Sequence, residues 1–432
     1  HGRHPEADRW REAARASLRL YASWQPADGS FGEGIAYWDF TFVHYIFALE
    51  VLRRRTGVDD RGLLDFRAQA RYALAMTMPT AGHPDDCVNL GDASGAALGA
   101  PLAWIAREYR DPVAQYVARR PAAFNPNVLS FWGVAWFDPD VPSPRPTDVP
   151  LDTRTELGIV VSRTGWETAD NVVVFRCGGP ENHEHADRNS VIFKAHGERL
   201  FHDPLHAAYA TTDPRWLLRQ TAAHTAVLVD GRGHIYHDGR DGTNASIAQA
   251  QLLDFRTGPQ WMATTGDAAD AYRRAGLPAR MVRRTVVFLK PDVLVLLDRV
   301  ELDEARPVQA RFQVFNEDGA GKTSVAGSAF TISRPGATLR ATVTGLAPGH
   351  LVAANLPLPA ASGVYPYVEY TSDAAAVHEF VTVCTTAPAG GEHGTLAVTR
   401  KRDGWSIEGL HRGQMVKLHL GSAAQGVPTV EL

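Results

Sequence analysis

The sequence predicts a multidomain α + β chain, an N-terminal array of helices followed by an antiparallel β-sandwich. Three observations carry that prediction. Apolar residues recur near every 3.6 positions through residues 1–137. Residues 138–150 hold Pro139, Pro142, Pro144, Pro146 and Pro150, a density that suits neither a helix nor a central strand and marks a linker. From Leu157 onward, short runs of β-branched and apolar residues are separated by turn residues. No helical stretch alternates with them, which points to antiparallel pairing.

The elements follow in order. Trp10, Ala13, Ala14, Leu18, Tyr21 and Trp24 make the stripe of a first helix, stopped by Pro26 and Gly29. A second helix covers 40–55, with Phe42, Ile46, Leu49 and Leu52 on one face and Gly57 past its end. Others cover 63–78, 96–110, 113–119 and 128–136. Between the first two lies Gly32-Glu33-Gly34-Ile35-Ala36-Tyr37-Trp38, read as a loop presenting polar and aromatic groups, or equally as a helix start with a packed Trp. Strands are expected at 158–163, 172–176, 191–195, 226–230, 285–290, 293–300 and 310–315, and β character continues to the C-terminus. The division expected is 1–137 helical, 138–150 linker, 151–345 sandwich and 346–432 a C-terminal β region.

Composition excludes several classes. A net charge of -4 over 432 residues argues against bulk attraction to nucleic acid or anionic membrane. Cys87, Cys177 and Cys384 are scattered, so neither a disulfide framework nor a thiolate zinc site is expected. No apolar run reads as a membrane span. Phosphate-loop, dinucleotide, nucleophile-elbow and HExxH motifs are missing from the sequence.

The chemistry concentrates in Asn182-His183-Glu184-His185-Ala186-Asp187-Arg188, just before the apolar run at Val191. On an extended segment, His183, His185 and Asp187 would share one face. Asp203 and His224 stand at the edges of later runs. His185, Asp203 and His224 are therefore a candidate zinc set, weighed against ordinary hydrogen-bonded core residues.

A helical array, a proline-rich linker and a β-sandwich carrying Asn-His-x-His-x-Asp resemble the heparinase II/III-like polysaccharide lyases, a family that includes heparin, heparan and oligoalginate lyases. The resemblance spans nearly the whole chain. It rests on residues 182–187, 200–204, His224 and 33–38. It implies an (α/α) toroid, of which this chain holds the C-terminal part, packed on antiparallel sheets with the cleft between. It also implies catalytic roles for His183 and Tyr37, with Tyr209 as a second cleft tyrosine. Asn182, Arg188, Trp38 and Glu33 become substrate contacts, and His185, Asp203 and His224 ligands of one structural zinc per chain. The implied reaction is β-elimination at a uronic acid of an acidic polysaccharide or oligosaccharide, leaving a 4,5-unsaturated end. Two alternatives stay open: a zinc-dependent glycan hydrolase and a non-catalytic glycan-binding protein of the same fold. The second is kept open because the carboxylate-binding pair carried by an earlier helix in such lyases has no counterpart before Tyr37. The first helix is expected to present an open apolar face, covered by an earlier toroid segment or another chain; a homodimer would also serve.

Overall fold

The computed structural model describes residues 4–92, 99–120, 131–234, 247–421 and 427–432. Among the described residues, six α-helices occupy the N-terminal part: α1 (Ala7–Trp24), α2 (Gly34–Thr56), α3 (Phe66–Ala75), α4 (Gly99–Tyr109), α5 (Pro112–Ala118) and α6 (Phe131–Trp136). They match the expected helices, although residues 96–98 and 128–130 lie outside the described residues. Local chemistry sets their ends. Gly57 ends α2 in the left-handed conformation at φ 75°, with Arg53, Arg54 and Arg55 in the last turn. The Asp65 carboxylate accepts from the Arg67 and Ala68 amides at the start of α3. Asp111 caps α5, whose first residue is Pro112.

α2 begins at Gly34 instead of residue 40, so the Tyr37-Trp38 pair is helical. By length and composition this helix could cross a membrane, contrary to the expectation that no segment could. Here its apolar face packs into the helical core, where Trp38, Phe42, Ile46 and Leu49 meet Phe66 and Trp104. Each such side chain contributes roughly 1.5–3 kcal/mol of burial. α1 buries no residue, and Trp10, Trp24, Phe40 and Phe131 are all more than half exposed.

Residues 137–151 contain no helix or strand, as the proline density requires. A five-stranded antiparallel sheet follows in chain order: β1 (Asp152–Arg154), β2 (Ile159–Arg163), β3 (Val172–Arg176), β4 (Ser190–Ala195) and β5 (Glu198–Phe201). Its two faces have different partners. Ile159, Val161, Val172, Val174 and Ile192 pack with the helices. Val160, Val173, Phe175, Val191 and Phe193 pack on the next sheet. Successive side chains point to opposite faces, so a strand buried on both sides reads as an unbroken apolar run.

The second sheet has ten strands: β6 (Val227–Val229), β7 (Gln251–Gly258), β8 (Trp261–Asp267), β9 (Ala279–Leu289), β10 (Val293–Gln313), β11 (Lys322–Ala326), β12 (Ala329–Ser333), β13 (Ala337–Gly345), β14 (Gly349–Asn355) and β15 (Pro366–Pro388). A short helix, α7 (Ala269–Arg274), lies between β8 and β9. The expected division at residue 345 is corrected by this sheet. β13 pairs with β15 along its whole length, and β14 pairs with β15 too, so the sheet continues across that position. The separate C-terminal unit is a four-stranded sheet of β16 (Thr395–Lys401), β17 (Gly404–His411), β18 (Gln414–Gly421) and β19 (Thr429–Glu431). Trp405, Ile407, Leu418 and Leu420 seat it against Val287, Val295 and Val381.

Polar clamps join the helices to the first sheet. The buried Arg199 guanidinium donates to both Asp86 carboxylate oxygens, the Cys87 carbonyl and Asn89 Oδ1. Arg163 donates to the Ala75 and Thr77 carbonyls, and the Ala81 amide donates to the Gly197 carbonyl at 2.8 Å. The junction between helices and sheet is thereby fixed.

Candidate active site

The residues 181–189 lie at that junction as a loop and form no strand. This corrects the expectation of an extended segment with one common face. His183 and Asn189 take left-handed conformations, at φ 54° and 62°. The loop is held by turn bonds in place of a ladder: the Glu181 amide donates to Glu184 Oε2, and the Ala186 amide donates to the Arg219 carbonyl at 2.7 Å. The three alternating side chains therefore diverge. His183 is part-exposed, His185 points inward, and Asp187 pairs with Arg188.

Tyr37 reaches His183 from the first turns of α2. Their rings stack with centroids 4.0 Å apart and planes 24° from parallel. Tyr209, from the loop after β5, places its hydroxyl 3.1 Å from the Tyr37 hydroxyl and its ring edge-on to His183 at 6.4 Å. Two phenols and an imidazole, from three separate segments, thus converge. Burial, together with the Tyr209 hydroxyl, pushes the Tyr37 phenol above its ordinary pKa, so it is protonated at neutral pH.

Glu33, just before α2, accepts from the Asn182 side-chain amide at 3.1 Å and lies 3.8 Å from His183 Nε2. Two predicted substrate contacts fall elsewhere. Trp38 is fully buried in the helical core, where its indole N–H donates to Gln69 Oε1 at 2.8 Å. Arg188 is fully buried too, spent on Asp187, Glu184 and the Gly179 carbonyl. Both are corrections with one reason: Trp38 and Arg188 are buried in the core, behind the part-exposed Tyr37 and His183.

A residue not anticipated from the sequence stands behind the histidines. Asp92 Oδ2 lies 3.1 Å from His183 Nδ1, and Oδ1 lies 3.1 Å from His185 Nε2 and 2.7 Å from Arg219 Nη2. Burial alone would raise the Asp92 pKa, but His185 and Arg219 hold it down to about 2. The turn is tied to the histidine loop, because the Asp92 amide donates to the His183 carbonyl at 2.9 Å. Gly91 has φ 62°, and a Cβ there would collide with that same carbonyl oxygen. The Arg219 guanidinium also lies over the Tyr209 ring, 4.5 Å from its centroid.

The three predicted zinc ligands are neighbours. His224 Nδ1 bonds Asp203 Oδ1 at 3.0 Å, and the His185 and His224 rings are 5.3 Å apart. Among the described residues, no three His, Cys, Asp or Glu side chains stand in closed metal-coordinating geometry. The donor set nevertheless fits a metal. His185 Nδ1, Asp203 Oδ2 and His224 Nε2 are buried and lack any hydrogen-bond partner, a state that costs about 1–3 kcal/mol per atom unless something binds there. Two imidazole nitrogens and one carboxylate oxygen are a donor set suited to zinc.

Solved structures show the same fold. Heparan sulfate lyase HepC from Pedobacter heparinus superposes with a TM-score of 0.71 at 15% identity, covering 96% of this chain and 63% of that one. A second structure, described as a heparinase III gene product, gives a TM-score of 0.71 at 15% identity over 97% of this chain and 63% of that one. A third, described as heparinase III, gives 0.71 at 13% identity, over 96% and 64%. This chain thus spans less than two thirds of their length. A search of curated proteins finds no match. Residues 155–354, which hold the histidine loop, Asp203, Tyr209 and His224, match the family model Heparinase II/III-like, C-terminal, so this part of the chain is similar to that family.

Proposed function

We propose that this protein is a lyase of uronic-acid-containing polysaccharides or oligosaccharides. The observation that carries this reading is the convergence of His183, Tyr37 and Tyr209 where the helices meet the first sheet. The family match and the heparan sulfate lyase neighbour support it.

β-Elimination needs a base at C5, an acid at O4 and relief of the negative charge on the uronate carboxylate. His183 is the base: its part-exposed imidazole takes the C5 proton. The C5–H electron pair becomes the C4–C5 double bond, and the C4–O4 bond breaks. The Tyr37 hydroxyl gives its proton to the departing oxygen, a role that suits a phenol kept protonated by burial. Tyr209, bonded to the Tyr37 hydroxyl, is the group through which that proton is restored. Asn182 offers its amide N–H to the substrate carboxylate, and Glu33 offers acceptor oxygens to sugar hydroxyls.

His185, Asp203 and His224 would hold one zinc, which when bound supplies a cross-link between the histidine loop and the segments bearing the other two ligands. No proton in the elimination is routed through it. The exposed apolar residues of α1 and α2 are proposed to be covered by a further helical segment or another chain.

The test is ultraviolet absorbance. Incubation with heparan sulfate, chondroitin, hyaluronan, alginate and other glucuronans should generate the conjugated double bond from at least one of them. Chain shortening with no absorbance would indicate a hydrolase and overturn the lyase reading.

A further inference from the structure

We propose that Asp92 is a positioning residue that sets opposite tautomers on two neighbouring imidazoles, those of His183 and His185. The inference rests on the reading of His183 as the base and of His185 as a metal ligand, and it names the group that makes both roles compatible.

An ionised carboxylate only accepts hydrogen bonds. Asp92 meets His183 at Nδ1 and His185 at Nε2, each at 3.1 Å. Each of those nitrogens must therefore carry the proton. On His183 this leaves the Nε2 lone pair free, on the nitrogen that lies 3.8 Å from Glu33 at the cleft. On His185 it leaves Nδ1 free, the buried atom that has no partner. One carboxylate thus points two lone pairs in different directions, one toward a substrate proton and one toward the metal position. A histidine with the wrong tautomer has an N–H where its task requires a lone pair.

The carboxylate is itself fixed. Its side chain is 5% exposed, Arg219 neutralises it at 2.7 Å, and its backbone amide is tied to the His183 carbonyl. Arg219 also donates to the Ala208 carbonyl and lies over the Tyr209 ring. Asp92 therefore positions His183 directly and Tyr209 through Arg219. When His183 accepts the C5 proton, the resulting imidazolium remains paired with Asp92 through Nδ1–H.

Asp92→Asn is the discriminating change, because an amide offers one acceptor oxygen and one donor nitrogen. It cannot accept from both imidazoles, so at least one must change tautomer. Turnover should fall at least about 100-fold, with KM within about threefold, since a histidine held in the wrong tautomer loses proton transfer and keeps binding. The second readout needs no substrate. In histidine-¹⁵N-labelled wild-type protein, His183 should be the Nδ1–H tautomer and His185 the Nε2–H tautomer. Loss of one signal set in His183→Gln identifies His183. A wild-type spectrum with His183 as the Nε2–H tautomer overturns the proposal. So does Asp92→Asn with near-normal turnover, which leaves the lyase reading standing. If no uronate glycan is cleaved, the lyase reading fails, and the tautomer spectrum still decides the role of Asp92.

Discussion

Tyr37→Phe separates chemistry from packing at this site. The substitution removes one oxygen and keeps the ring that stacks on His183 at 4.0 Å. The structural loss is the hydroxyl–hydroxyl bond of 3.1 Å to Tyr209, at a site open to solvent. Removing one such bond costs about 1 kcal/mol of stability or less. The expected functional loss is larger. General acid catalysis contributes roughly 10²–10⁴-fold, and at about 1.36 kcal/mol per decade this is about 3–5 kcal/mol of barrier. The initial rate of double-bond formation should fall by two orders of magnitude or more, while the melting temperature moves by only a few degrees. KM should stay close to the wild-type value, because the ring and its stacking remain. Tyr209→Phe serves as the comparison: Tyr209 is 44% exposed and meets the cleft through the Tyr37 hydroxyl, so its loss should cost less. Near-normal turnover in Tyr37→Phe, with a collapse in Tyr209→Phe, would refute the assignment and transfer the acid role to Tyr209.

Metal analysis of the purified protein should find about one zinc per chain, and His185→Ala should remove it and lower the melting temperature, whereas His183→Ala should retain it; a metal-free protein of unchanged stability would count against the site. Gly91→Ala should cost about 1–3 kcal/mol of stability, because its left-handed backbone disfavours a Cβ, and should lower turnover by displacing His183; a variant with unchanged melting and rate would show that the turn tolerates the shift. Lys194 donates to the Thr168 and Asp170 carbonyls, and burial, reinforced by the Arg163 charge, lowers its pKa from 10.5 to about 7. The unfolded chain therefore binds the proton more tightly, and stability should climb as pH rises from about 7 to 10.5, being lost again as pH falls through that window. Denaturant titrations across that range should show the rise in wild type and a flatter profile in Lys194→Met.

Much of the fold was legible in the sequence because burial in this chain is one-sided where the helices pack and two-sided where the first sheet packs. Phe42, Ile46 and Leu49 recur at helical spacing and do meet the core. The strand at 172–176 was legible to the residue because both its faces are covered. The first turn of α2 was not, since Gly32 and Gly34 read as a loop. β7 was missed because Gln251–Gly258 is only part-buried and breaks alternation; β8 was missed although its residues 262–266 are buried. At the site, His183, His185, Asp203 and His224 stood out by spacing, and Tyr37 and Tyr209 only through the family resemblance; the structure brings Tyr37, His183 and Tyr209 together, and His185, Asp203 and His224 beside one another. Asp92 did not stand out, because a single Gly-Asp turn carries no local pattern. Its meaning lies in the approach of residues about ninety positions apart. Trp38 and Arg188 show the converse failure: residue type suggested a ligand contact, and burial assigned both to the core.

The period-two spacing of His183, His185 and Asp187 deserves a different physical reading from the one it first suggests. A strand would have turned all three side chains to one face. The proposed base and the proposed metal ligand would then have faced the same solvent, and a single carboxylate could not have met both from behind. The left-handed backbone at His183 breaks that alternation. It lets His183 reach Tyr37 in the cleft while His185, two residues later, turns toward His224. Gly91 makes this possible, because the Asp92 turn can approach the His183 carbonyl only where no Cβ intervenes. The cost of a left-handed non-glycine residue is about 1–3 kcal/mol. Here the Asp92 amide bond to the His183 carbonyl and the carboxylate between the two imidazoles offset it. The loop conformation, and not the alternation, is what allows one short segment to serve both the cleft and the interior.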